Sequence, residues 1–154
     1  MNTAMPSTGS LHLIVGYDGS APATRALDSA AALLAGRDGI HVVYVPHMPA
    51  VDMLSPDAVA GMETTFDEIA RDLHAQASEQ LRGREERWQF ERGLDMLSDV
   101  AGVLVRVAEK VRDAHPGDNV AIVVGSSSQA RHRLVGSVAV SLARHSPVPI
   151  VIVP

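Results

Sequence analysis

Leu11–Ser20 reads LHLIVGYDGS. Its first seven residues are mostly apolar, and Asp18-Gly19-Ser20 stops them. A short apolar run closed by turn residues is the pattern of a buried strand. The next stretch is SAPATRALDSAAALLA. Ser20 can cap a helix there, and Pro22 suits its first turn. Ala23, Ala26, Leu27, Ala30, Ala31 and Leu34 recur at helical spacing, and Gly36 is placed to end the helix. Ile40–Val45 (IHVVYV) is a second strand, ended by Pro46. Two apolar strands joined by a helix form the unit of a parallel sheet.

The same alternation continues to the end of the chain. Pro46 to Leu54 reads as a loop and Pro56 to Leu81 as a long helix. Met62, Phe66, Ile69, Leu73 and Ala77 form one apolar stripe of that helix. Its charges, Glu63, Asp67, Glu68, Arg71 and Asp72, read as a solvated face with i,i+4 pairs. Arg87–Arg92 is a half-exposed strand and Asp99–Arg112 a helix. Val120–Val124 is an apolar strand, Ser137–Arg144 a short helix and Pro149–Val153 a last strand. Five strands alternating with four helices predict an α/β sheet covered on both faces, with right-handed crossovers. The expected organisation is a flexible tail over residues 1–10 and one domain over 11–154.

Composition narrows the function. The net charge of −5 argues against nucleic acid as a main partner. There is no cysteine, hence no disulfide framework, thiolate metal site or cysteine nucleophile. Residues 1–10 lack the pattern of a signal peptide, and no apolar run approaches the roughly 20 residues needed to cross a bilayer. The expectation is a cytoplasmic protein with no membrane partner. The only lysine, Lys110, follows Glu109 in a helix. A Walker A loop needs its lysine directly after a glycine, so the P-loop NTPases are excluded. No serine sits in a GxSxG elbow. The seven histidines (12, 41, 47, 74, 115, 132 and 145) are scattered, without metal-helix spacing. Neither a catalytic nor a metal site is read from them.

In an open parallel sheet, ligands bind beyond the carboxyl ends of the strands, where strand order reverses. Two segments should meet there. One is Gly16–Ser20. The other is Gly125-Ser126-Ser127-Ser128, leading to Gly136-Ser137 at a helix start. Small residues that leave backbone N–H groups free, together with a helix N-terminus, suit a phosphate. Arg131 and Arg133 in the same connection could add positive charge. The other reading of the same residues is a turn at Gly125, a cap at Ser137 and solvated arginines. Asp18 is open in the same way, to a ribose hydroxyl or metal on one side and a plain turn on the other.

VGYDGS before an Ala-rich helix, together with VVGSSS…VGSVAVSLARHSPVPIVIVP at the end, resembles the universal stress proteins from about Leu11 to Pro154. The resemblance implies a Rossmann-like sheet in the order 3-2-1-4-5, homodimers through the C-terminal strand, and ATP binding in one branch, with Mg²⁺ as its companion. It implies a stress-response module. No motif places a general base, so the expectation is a binder and not an enzyme, any ATP hydrolysis being slow and incidental. The resemblance also implies contacts from Asp18 and Val45 to adenosine, and from Val124, Gly125, Ser128, Gly136, Ser137 and Val138 to phosphate. The nucleotide-binding branch carries three spaced glycines, the last followed by Ser or Thr. Gly125 and Gly136-Ser137 match the ends of that pattern. Ser128 replaces the middle glycine, and the link from Gln129 to Val135 is shorter than in the pattern. A homodimeric interaction module that binds no nucleotide is the alternative.

Overall fold

In the computed structural model, which describes residues 9–35, 38–46, 55–84, 87–93, 99–126 and 137–154, five strands form one sheet. The elements run β1 (Leu11–Gly16), α1 (Ala21–Leu33), β2 (Gly39–Tyr44), α2 (Pro56–Gln80), β3 (Trp88–Arg92), α3 (Val100–Ala114), β4 (Asn119–Gly125), α4 (Ser137–His145) and β5 (Ile150–Val153). All neighbours pair parallel, in the order β3-β2-β1-β4-β5. The expected architecture is therefore observed. Strand order reverses between β1 and β4, which lie side by side at the centre.

The period-two alternation of strand side chains builds two cores. Leu13 and Val15 of β1 join Ala23, Ala26, Leu27 and Ala30 of α1 and Leu73 and Ala77 of α2. Ile14 points the other way, to Leu104, Val107 and Val111 of α3 and Leu142 of α4. Burying each large aliphatic side chain stabilises the fold by about 1.5–3 kcal/mol. The alanines of α1 make little of that contribution but let the helix lie close to the central strands. Helix α2 buries only Phe66, Leu73 and Ala77. It is held in addition by Arg92 of β3, which pairs with Glu63 and Asp67.

Chain ends and turns follow the local chemistry. Ser20 caps α1, its Oγ accepting from Ala23 N at 3.4 Å, and Ser55 caps α2 in the same way. Helix α3 runs two residues beyond the expected Arg112, to Ala114, because the helical pattern holds until Pro116. Ser10, assigned above to the tail, is tied to the sheet. Ser10 N donates to Asp118 Oδ1 (3.0 Å) and Ser10 O accepts from Asn119 N (2.8 Å). The part of that tail before Gly9 lies outside the described residues.

Among the described residues, the buried polar side chains are His12 and His41, on the α3 side near the amino ends of β1 and β2. Burial, with the nearby charges of His12, His115 and Lys110, lowers the His41 pKa to about 4. It is a neutral imidazole at physiological pH.

Candidate functional site

A cleft of about 680 Å³ opens at the carboxyl ends of β1, β2 and β4, at the point where strand order reverses. Its size lies within the usual range for small-molecule pockets, roughly 300–1,000 Å³. The strands end there because the sequence turns to residues that cannot continue them. After β1, Asp18 Oδ1 accepts from Ser20 N at 3.0 Å, an Asx turn that starts α1. After β4, the backbone passes so near α1 that a Cβ on Gly125 would lie 2.2 Å from Pro22 O. The absence of a side chain at Gly125 is thus required by the approach of α1.

Six of the residues read from the sequence line this one cleft: Asp18, Val45, Val124, Gly125, Ser137 and Val138. They come from four separate segments of the chain. The other four, Ser128, Arg131, Arg133 and Gly136, lie outside the described residues. Ser137, Val138 and Ala139 form the first turn of α4. Backbone N–H groups of a first turn have no partner within the helix and carry the positive end of its dipole. Asp18 is the one charged residue among the described residues of the lining. The floor is apolar, with Val43, Val124 and Leu104 beneath it.

One wall of the cleft comes from residues whose sequence pattern points only to packing. Phe66 and Ile69, assigned to the packing stripe of α2, line the cleft, and Ile69 is 39% exposed there. Tyr17 and Tyr44 also border it. Desolvation by burial raises both phenol pKa values, so both hydroxyls stay protonated at neutral pH. Tyr17 Oη donates to Gln80 Oε1 at 3.5 Å, and Gln80 Nε2 donates to Thr24 O and Asp28 Oδ1 at 2.7 Å each. Those bonds fix α2 against α1 below the cleft. The available signal was positional, since Phe66 and Ile69 lie on the side of α2 nearest the strand ends. Placing α2 over that end required the tertiary fold.

The sheet agrees with known proteins. The chain matches the model of the universal stress protein family over residues 10–154. A protein of that family from Burkholderia pseudomallei is similar in structure, with a TM-score of 0.66 and 26% identity, 93% of this chain covering 95% of that one. A universal stress protein solved in complex with cAMP has a TM-score of 0.62 and 21% identity, covering 96% of this chain and 99% of its own. An Arabidopsis thaliana family member solved with AMP bound has a TM-score of 0.56 and 14% identity, with 94% and 91% covered. No curated protein matches the sequence significantly. No helix among the described residues is long and apolar enough to cross a membrane. With the family's model matching almost end to end, the chain belongs to the universal stress protein family.

Proposed function

We propose that this protein is a stress-response module that binds an adenine nucleotide in the cleft between β1 and β4 and acts as a binder, not as an enzyme. The observation that carries the reading is convergence. Asp18, Val45, Val124, Gly125, Ser137 and Val138, far apart in sequence, meet at one cleft onto which the first turn of α4 opens. An apolar floor suits a purine, the Asp18 carboxylate suits ribose hydroxyls, and a helix N-terminus suits phosphate. Related structures carrying cAMP and AMP support the ligand class. ATP with Mg²⁺ is the form expected from the family, with Arg131, Arg133, Ser128 and Gly136 near its phosphates. Asp18 already accepts from Ser20 N, so its carboxylate serves to orient a ligand and is poorly placed as a general base.

The cytoplasm is the proposed location. The proposed assembly is a homodimer through β5, which stands at the sheet edge with Ile152 37% exposed. The second reading, an interaction module without nucleotide, has one observation in its favour: no basic residue is among the described residues of the cleft lining. Calorimetry with ATP, AMP and cAMP separates the two. The proposal expects one site per chain for at least one of them. No heat from any of the three at about 1 mM, where binding free energy falls to about −4 kcal/mol, would favour the interaction module.

A further inference from the structure

At the amino end of the sheet, opposite the cleft, the chain assembles a group of nitrogen and oxygen ligands. His115 caps α3, Pro116 and Gly117 follow, and Asp118 N donates back to His115 O at 3.1 Å. With Pro at its second position and Gly117 at φ 96° in its third, this is a type II turn. A turn of this kind brings its first and fourth residues together, here His115 and Asp118. His12, the second residue of β1, lies against them. Its Nε2 is 3.0 Å from Asp118 Oδ2, and His115 Nδ1 is 4.0 Å from the same oxygen. The His12 and His115 rings stack with centroids 4.4 Å apart. The other carboxylate oxygen, Oδ1, accepts from Ser10 N, which leaves Oδ2 aimed at the two imidazoles.

We propose that His12, His115 and Asp118 form a binding site for a divalent metal ion of the zinc class. One ligand atom from each of the three lies within 4.8 Å of the other two. Tetrahedral zinc, with ligands at about 2.0–2.2 Å, needs ligand atoms roughly 3.3–3.5 Å apart. The exposed His115 ring can close the difference by turning about its side-chain bonds. Two imidazoles and one carboxylate are a borderline ligand set, suited to Zn²⁺ or Co²⁺, whereas Mg²⁺ and Ca²⁺ take oxygen. Three protein ligands leave a fourth position for water. The ion would fasten β1, the end of α3 and the turn before β4 to one another.

Behind the site stands a chain of bonds that orients the buried ligand. Gln89 Nε2 lies 2.5 Å from His41 Nδ1, and His41 Nε2 lies 3.3 Å from His12 Nδ1. With both rings neutral and the Gln89 amide nitrogen toward His41, the donors without metal would run toward the carboxylate: Gln89 to His41 Nδ1, His41 Nε2–H to His12 Nδ1, and His12 Nε2–H to Asp118. A metal on His12 Nε2 needs that nitrogen bare. His12 must then carry its proton on Nδ1 and donate to His41 Nε2, and His41 must carry its own on Nδ1 and donate to the Gln89 amide oxygen. Each ring keeps one proton, moved to its other nitrogen, and the amide turns over. An imidazole ligand held by a hydrogen bond from its second nitrogen is the usual arrangement at metal centres.

The test uses the full chain, Zn²⁺ and Co²⁺ as probes, and the variants His115→Ala and Asp118→Ala. Wild type should bind one Zn²⁺ per chain, give the visible absorption of tetrahedral Co²⁺, and melt at higher temperature with Zn²⁺. Loss of an outer partner costs about 10–100-fold in affinity, so loss of a ligand should cost at least about 100-fold in each variant. Nitrogen-15 spectra of the imidazoles should show His12 and His41 changing from the Nε2–H to the Nδ1–H form on zinc addition. Three results would overturn the proposal: no zinc binding by wild type, undiminished binding by folded His115→Ala, or binding that leaves both tautomers unchanged.

Discussion

At the carboxyl ends of the strands, Val45, Val124 and Gly125 line an open, largely apolar cleft with Asp18 on its rim. At the amino ends, His12 and His41 lie buried in the sheet, hydrogen-bonded in a row that ends at Asp118. One end leaves backbone groups and apolar surface ready for a ligand, while the other places titratable side chains within reach of one another. A parallel sheet produces this asymmetry because all its strands begin at one end and finish at the other. Residues at corresponding strand positions therefore gather at the same end.

The difference predicts how each end responds to perturbation. The largest expected effect is of pH on the amino end. Folded His41 titrates near 4, below its ordinary value of 6.5. The unfolded chain therefore takes up a proton in that window while the folded chain does not. The His41 contribution to stability is fully present above about pH 6.5 and is lost as pH falls through about 4. Its upper size is roughly 3 kcal/mol. Urea unfolding of the metal-free protein between pH 7 and 4 should show the decline, and His41→Gln should flatten it. A stability independent of pH across that range would contradict the account.

A single methyl group should be costly at the carboxyl end. Gly125→Ala puts a Cβ against the Pro22 backbone, and overpacking of this kind costs about 1–3 kcal/mol. Gly117→Ala at the amino end meets open space but a φ of 96°, with a cost of about 1–2 kcal/mol. Thermal melts should place both below wild type. Gly125→Ala, which moves α1, should in addition disturb nucleotide binding, and Gly117→Ala should not.

The edge strand gives a further contrast. Pro149 O and Val153 O accept from β4, so the outward backbone groups of β5 belong to Ile150 and Ile152. Ile152→Pro removes an outward donor while sparing the ladder to β4. Light scattering should then show the proposed dimer shifting to monomer. A wild type that is already monomeric would remove β5 as the contact. The smallest effect is expected at Ser128. If it adopts a backbone conformation natural to glycine, Ser128→Gly should tighten ATP binding by up to about tenfold.

Sequence legibility also differs between the two ends. The strands could be read because each run is apolar and bounded by Gly, Pro or Asp, while their order in the sheet came only from the family resemblance of Gly16–Ser20 and Gly125–Ser137. The histidine cluster could not be read, since His12, His41 and His115 lie far apart in sequence and no local spacing joins them. His115 and Asp118 alone sit close in sequence, as the ends of one four-residue segment. Its meaning depends on His12 in the adjacent strand, which pairing alone supplies. Phe66 and Ile69 were legible as apolar residues, but their place over the cleft follows from the packing of α2.

Amide NMR during a titration with ATP or AMP reads whether an adenine nucleotide binds at the carboxyl end. Shifts should concentrate at Gly16–Ser20, Val45, Val124–Ser126 and Ser137–Ala139, with His12, His41 and His115–Asp118 unmoved. Shifts centred on the amino-end cluster or on the outer face of α2, with the cleft silent, would contradict binding there.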